Sequence, residues 1–168
     1  DEEALVLAMN HSTAPEVLSE LATRTDVAIR TAVAANPSTP VPAFLALATD
    51  TVSDVRIAAA GASHAKSTLR AMDEGSFSLY EKYYDEPSQY KEAFLMLSQD
   101  NCADVRVALI ANDRVFWGLF SSDVYEQMVF DDNSNVREAF LSCFLNSKVS
   151  LWELELSQKA LEHLVDMG

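Results

Sequence analysis

The chain has 168 residues, 49% of them hydrophobic, and carries a formal net charge of −14. This length and composition are typical of one folded domain with its own core, which excludes a globally disordered chain. Nucleic-acid affinity comes mainly from basic residues that displace counterions, so the acidity argues against direct DNA or RNA binding. No apolar run approaches the roughly 20 residues that a membrane span requires.

Few residues in the chain suggest cofactor or metal chemistry. The two cysteines, Cys102 and Cys143, lie far apart and form no CxxC pair. Reduced thiols are the interpretation we favour, and they suit a cytoplasmic protein, although a disulfide between them is the alternative. The three histidines, His11, His64 and His163, lack the spacing of a metal site. We therefore predict no cofactor, no metal and no enzymatic activity.

Internal repetition is the strongest signal along the chain. Residues 18–40 align with residues 44–66 at a shift of 26, and a further shift of 50 brings residues 94–112 into register. A looser copy ends in residues 131–144. One arginine recurs at the same position of every copy: Arg30, Arg56, Arg106 and Arg137.

Each copy predicts two helices joined by a short polar turn. Thr13 is expected to cap the first helix, with Pro15 in its first turn and Glu16 completing a capping box. An alanine-rich second helix follows, and we expect it to stop at Asn36 and Pro37. Asparagine tolerates the left-handed conformation there, and proline cannot continue a helix. One helix pair cannot bury its own apolar face, so stacked pairs are predicted.

Residues 10–62 resemble the leucine-rich repeat variant family, whose units read approximately NPxTPxxxLxxLAxDxxxxVRxAVA. The residues that carry this pattern are Asn36, Pro37, Thr39, Pro40, Leu47, Ala48, Asp50, Val55, Arg56 and Ala58. The chain is also similar to the broader class of HEAT-like helical repeats. The resemblance implies an all-α fold, a right-handed α/α superhelix (solenoid) of short tandem repeats. Some family members carry an iron–sulfur module with clustered cysteines, which this sequence lacks, so no redox role carries over.

We expect one helical-repeat domain over residues 1–168. Regular repeats cover about residues 4–65, and divergent, aromatic-rich repeats cover about residues 66–148. Within the second part, residues 66–92 have the length of one unit without its Val-Arg core, and we expect a degenerate repeat there.

A C-terminal helix over about residues 150–166 is expected to cap the open end of the stack. Ser150 and Glu153 form a capping box at its start. A helix offered to a partner is the alternative. Its predicted buried face comprises Leu151, Leu154, Leu161, Leu164 and Val165.

The recurring arginines, together with Asn36 and Pro37, are interpreted as structural. A residue present in every unit serves the stacking, by bonding carbonyls or aspartates of adjacent turns. The alternative is a row of arginines that grips an acidic ligand. The loop carboxylates are expected to be mostly helix caps; they are Asp26, Asp50, Asp54, Asp100, Asp104, Asp131 and Asp132.

The candidate partner-binding residues are Tyr80, Tyr83, Tyr84, Asp85 and Glu86. Tyrosines beside carboxylates suit the recognition of Arg or Lys side chains, through the ring face and charged hydrogen bonds. Their spacing of i, i+3 and i+4 also fits the alternative, in which the three rings fill the core.

These observations predict a non-catalytic protein–protein interaction module, an acidic helical-repeat scaffold with a basic protein as its partner. One alternative is a DNA mimic that occupies the basic groove of a nucleic-acid-binding protein. A second is an enzyme of the HEAT-like DNA glycosylase type, against which the acidity argues because such enzymes need a basic groove. Direct nucleic-acid binding and membrane association are not expected, and the oligomeric state is left open.

Overall fold

A computed structural model describes residues 2–62, 87–112, 122–146 and 156–167. In these ranges the chain forms ten α-helices and no strand, which confirms the predicted all-α class for this part of the chain. None of the described helices is long and apolar enough to cross a membrane. The helices are α1 (Glu2–Met9), α2 (Pro15–Leu21), α3 (Val27–Ala35), α4 (Val41–Ala48), α5 (Ser53–Ala60), α6 (Pro87–Ser98), α7 (Ala103–Ala111), α8 (Ser122–Val129), α9 (Ser134–Asn146) and α10 (Gln158–Met167).

The helices α2 to α9 form four pairs, each with a first helix (α2, α4, α6 or α8) and a second helix (α3, α5, α7 or α9). The second helices contact one another in series, from α3 to α5, α7 and α9, and α1 joins this series by its contact with α3. The first helices α2, α4 and α6 also contact in series, and α10 contacts α8. The fully buried side chains of Ala34, Ala59 and Ala60 in α3 and α5 are small, which lets neighbouring second helices approach closely.

Equivalent positions of the pairs are buried in the same way. One position of the first helices holds large side chains that are at most 4% exposed, and the position three residues later is equally buried. Residues at i, i+3 and i+4 share one helix face, so each pair presents the same apolar stripe to its neighbours. These positions hold Leu18, Phe44, Phe94 and Tyr125, then Leu21, Leu47, Leu97 and Met128, and in the second helices Ile29, Val55, Val105 and Val136.

The pair α6–α7 packs directly against the pair α4–α5. Helix α4 contacts α6, and α5 contacts α7. Equivalent residues at this step, such as Phe44 and Phe94, are 50 positions apart instead of 26. Because α4 contacts α6 and α5 contacts α7, the two pairs are neighbours in the series. The degenerate repeat expected over residues 66–92 lies mostly outside the described residues and stays a prediction. Residues 87–92 belong to α6, and residues 63–86 lie outside the described part.

The polar residues before the first helices bond to the preceding second helix. Ala14 holds the N-cap position of α2 and makes no side-chain cap bond, so the expected capping box at Thr13 is wrong. Thr13 Oγ1 instead donates to the carbonyl of Leu7, 2.7 Å away. Thr39 Oγ1 donates to the carbonyl of Val33 at 2.6 Å. Each of these carbonyls also accepts a backbone N–H, from Asn10 and Asn36 respectively, so the threonine hydroxyls add a second bond at the end of the preceding helix.

Helix α10 begins later than expected, at Gln158. Ser157 takes the role of its cap, since its Oγ accepts a hydrogen bond from the Ala160 N–H at 3.3 Å. Leu164 is buried as expected, but Val165 is 76% exposed because it lies one position off the face that contacts the core. The predicted residues Ser150 and Glu153, like Leu151 and Leu154, lie outside the described part of the chain.

Candidate functional site

Arginines of the second helices and aspartates of the next pair form a repeated ion-pair ladder. Each arginine is the fourth residue of its helix, and each aspartate lies two residues after the next first helix. Arg30 Nε and Nη2 donate to Asp50 Oδ2 and Oδ1 at 2.7 and 3.2 Å. The corresponding distances are 2.6 and 3.0 Å for Arg56 with Asp100, and 2.8 and 2.7 Å for Arg106 with Asp131. Such two-pronged pairs fix orientation as well as charge.

The remaining guanidinium nitrogen binds the turn within its own pair. Arg30 Nη1 donates to the carbonyls of Arg24 and Thr25, both at 2.9 Å. Arg56 Nη1 donates to the Asp50 carbonyl at 2.7 Å, and Arg106 Nη1 donates to the Asp100 carbonyl. Each arginine therefore joins two successive pairs, as the structural interpretation of these residues predicts.

The ladder aspartates also shape the turns in which they lie. Asp50 accepts a hydrogen bond from the Val52 N–H at 2.9 Å, and Asp100 accepts one from the Cys102 N–H at 2.8 Å. Val52 and Cys102 occupy the N-cap positions, so these two aspartates are not the helix caps that we expected. Asp26 is a cap, because its carboxylate accepts from the Ala28 N–H at 2.8 Å.

The ladder groups are largely buried, and their mutual bonds stabilise the charged forms. The side chains of Asp50, Asp100 and Asp131 are 10%, 9% and 6% exposed. The hydrogen bond from Arg30 lowers the pKa of Asp50 below its ordinary value. Burial alone would raise the pKa of Asp100, but the bonds from Arg56 and the Cys102 N–H outweigh it, and the pKa is lowered.

The ladder changes at the two ends of the described series. Arg137 Nη1 donates to the Asp131 carbonyl at 2.6 Å, but no carboxylate of the described residues pairs with this arginine. At the other end, the repeat shift of 26 places Ala4 at the position of Arg30, and it places Arg24 at the position of Asp50. The ladder therefore does not continue through α1.

Asparagines join the pairs at the opposite end of the second helices. Asn36 Nδ2 donates to the carbonyls of Ala8 and Asn10 at 2.7 and 3.0 Å. Asn112 Nδ2 donates in the same way to Ala60 and Ala62, at 3.1 and 2.9 Å. These bonds satisfy carbonyls at the end of the preceding second helix.

The predicted end of α3 is confirmed, but the conformation of its last residue differs. Helix α3 ends at Ala35, and Asn36 follows it with φ −77° and ψ 120°. The left-handed conformation expected for Asn36 is wrong, because Pro37 follows and restricts the preceding residue to extended backbone. With this extended backbone, the Asn36 side chain bonds to the carbonyls of Ala8 and Asn10.

A groove of about 680 Å³ lies on the exposed side of α1 and α3. Its lining is mainly apolar, and Asp54 of α5 is its only carboxylate. Met9 is 66% exposed there, and Val27 is 37% exposed. The remaining lining residues are His11, Ala28, Thr31, Ala32, Ala35 and Asn36.

The exposed charges of the second-helix series are acidic. Asp54 and Asp104 are the second residues of α5 and α7, and both are exposed. The two lysines of the described part, Lys91 and Lys159, lie on α6 and α10. Arginines are the only basic residues of α1, α3, α5, α7 and α9, and three of the four are engaged in the ladder. The exposed carboxylates on this series are Glu2, Glu3, Asp54, Asp104 and Glu138.

The predicted partner-binding residues Tyr80, Tyr83, Tyr84, Asp85 and Glu86 all lie outside the described residues. The nearest described tyrosine, Tyr90, donates its hydroxyl to the Thr39 carbonyl at 3.0 Å, and its ring lies 5.4 Å from that of Phe44. Sequence reasoning predicted that the arginines bond carbonyls or aspartates of adjacent turns, but it assigned no aspartate to an individual arginine, and it missed the groove. The aspartates recur in step with the arginines, and this shared period is a signal that could have identified the pairs.

No cluster of three or more potential metal ligands occurs among the residues that the structure describes. The described residues form an all-helical structure of repeated helix pairs. The arginine–aspartate ladder joins these pairs at one end of the second helices. Comparisons with protein-family models, curated proteins and solved structures give no match for this chain.

Proposed function

We propose that this protein is a non-catalytic protein–protein interaction module, an acidic helical-repeat solenoid whose partner is a basic protein. The observation that carries the proposal is the exposed side of the second helices. There an apolar groove lies beside carboxylates, and the described lysines lie elsewhere.

The solenoid part of the proposal is a right-handed α/α superhelix of the leucine-rich repeat variant type. The serial contacts of the second helices support it, as do the ion pairs that recur at three successive steps. In repeat proteins each unit contacts only its neighbours, and the stack offers an extended surface for binding. Small-angle X-ray scattering should show an elongated particle with a radius of gyration above the ~15 Å expected for a compact 168-residue domain. A compact particle would contradict the solenoid.

Charge and apolar surface together favour a protein as the ligand. Acidic surface raises the association rate of basic partners, and apolar surface rimmed by polar groups is typical of protein-binding sites. A cytoplasmic location is part of the proposal. Neither Cys102 nor Cys143 forms a disulfide bond, as is usual in reducing compartments.

The test starts with the immobilised protein and a lysate of the source organism, eluted with a salt step. A second, control column carries an unrelated protein of equal net charge. It identifies the proteins that bind by simple ion exchange. A protein retained by the first column alone is then purified and titrated by calorimetry. We expect a saturable complex of fixed stoichiometry whose affinity falls with salt. If every retained protein also binds the control column, the proposal is wrong.

DNA mimicry is the second candidate, favoured by the equivalent placement of Asp54 and Asp104 on successive second helices. The same complex distinguishes it from general protein binding. A DNA mimic occupies the same groove of its partner as DNA does. Duplex DNA should therefore compete with this protein for the partner and displace it. Displacement would support mimicry, and an unaffected complex would exclude it.

A further inference from the structure

The groove on the exposed side of α1 and α3 has the properties of a site that binds an apolar side chain of a partner. Its exposed Met9 and Val27, with Ala28 and Ala35, leave apolar surface in contact with solvent. A partner side chain of similar polarity would remove that surface from water, at about 25 cal/mol per Å². Asp54 is the carboxylate that lines the groove, so a cation beside the buried side chain would meet a negative charge.

A second carboxylate continues the line from the groove across the next helix. Asp54 and Asp104 are equivalent residues of α5 and α7, and these helices are in contact. Packed helices lie about 8–10 Å apart. A chain in the polyproline II conformation has three residues per turn and advances about 3.1 Å per residue, so side chains three residues apart project from the same side and lie about 9 Å apart. One step along the helix series therefore corresponds to three residues of a ligand in this conformation.

We infer that the groove, Asp54 and Asp104 form a docking site for a segment of a basic protein in the extended polyproline II conformation. An apolar side chain of the segment occupies the groove, and two lysines or arginines follow at intervals of three residues, opposite Asp54 and Asp104. The inference rests on the proposed function and specifies where the partner binds and which spacing it carries. The acidic surface around the groove supports a basic segment over an acidic or neutral one.

The probe is a fluorescein-labelled peptide that contains Leu-Ala-Ser-Lys-Ala-Ser-Lys, titrated by anisotropy at low ionic strength, where charge pairs are least screened. A second peptide of the same composition, Leu-Ala-Ser-Ala-Ser-Lys-Lys, places the lysines side by side. We expect saturable binding of the first peptide and an affinity several-fold lower for the second. No saturable binding of the first peptide, or equal affinity for both, would overturn the proposed site.

Two pairs of matched variants locate the binding on the protein. Asp54→Asn with Asp104→Asn removes two charges from the site, and Asp123→Asn with Asp166→Asn removes two exposed charges from α8 and α10. Exposed ion pairs are individually weak, so we expect the first variant to lose about three- to tenfold in affinity and the second less than about twofold. Equal losses would show general charge attraction and refute the site.

The groove is tested separately by adding the same charge in two places. Ala35→Arg puts a long cationic side chain at the groove, and Gln127→Arg puts one on the exposed face of α8. The first should abolish the spacing preference between the two peptides, and the second should preserve it. The opposite result would overturn the assignment of the groove.

Failure of this site is distinguishable from failure of the proposed function. The purified partner from the capture experiment is titrated against the variant with Asp54→Asn and Asp104→Asn. If wild-type protein binds a basic partner and the variant binds it equally well, the docking site is wrong and the function stands. If wild-type protein captures no specific partner, the proposed function itself fails.

Discussion

Replacing Asp100 by alanine is expected to weaken the joint between the pairs α4–α5 and α6–α7. The carboxylate receives two charged hydrogen bonds from Arg56, at 2.6 and 3.0 Å, and accepts one from the Cys102 N–H. Removing it leaves a guanidinium that is only 17% exposed without its counter-ion. Exposed pairs contribute about 0–1 kcal/mol, while breaking a buried pair costs about 3–5 kcal/mol. The partly buried Arg56–Asp100 pair lies between these limits, so we expect a loss of about 2–3 kcal/mol.

The assay is urea unfolding followed by far-UV circular dichroism, with Asp104→Ala as the matched control. Asp104 lies in the same region but is exposed on the first turn of α7, where loss of a carboxylate costs about 0.3–1 kcal/mol. Asp100→Asn separates two contributions, because the amide oxygen still accepts from the Cys102 N–H while the charge is lost. Its cost should fall between the other two. If Asp100→Ala destabilises the protein no more than Asp104→Ala does, the ladder does not join the pairs as described.

Three further predictions concern stability. The pKa values of Asp50 and Asp100 are lowered by folding, so the stability they contribute is complete above the unfolded value of about 3.9 and is lost as pH falls through the lowered folded values. The urea concentration at the midpoint of unfolding should therefore decrease when the pH is brought below about 4, and it should decrease less steeply in the variant in which both residues are asparagine. Asn112→Ala removes two bonds to carbonyls of the preceding pair and should cost about 1–3 kcal/mol in the same urea assay; no change would contradict the role of the asparagine. Phe94→Ala should cost about 3–5 kcal/mol by leaving a cavity in the core, whereas Met96→Ala, at a side chain 43% exposed, should cost less than about 1 kcal/mol; similar thermal shifts for the two would contradict the described core.

The local features of the helix pairs were accessible from the sequence. The end of α3 before Asn36 and Pro37 was predicted correctly, because proline removes an N–H and restricts the residue before it whatever the rest of the fold does. The alignment of the repeats also places Phe44 and Phe94 at equivalent positions, and both are fully buried in the structure. Apolar periodicity is a property of the individual helix, so it can be read before the helices are assembled.

The contacts between pairs were not accessible in the same way. Arg56 bonds to Asp100 across 44 positions of sequence, whereas Arg30 bonds to Asp50 across 20. Thr13 looked like a helix cap, but its hydroxyl bonds to the preceding helix at Leu7. In both cases the sequence contains a suitable residue, and the partner is decided by which helix lies next to it.

The amino-acid order alone therefore specifies the helical class, the pairing of short helices and the apolar stripe of each pair, since these depend on residues a few positions apart. The ion-pair partners and the groove beside Asp54 arise only when separate pairs pack together. The physical reason is the range of the interactions: propensity and periodicity act within one or two turns of a helix, whereas a ladder or a groove is formed by side chains from different helices.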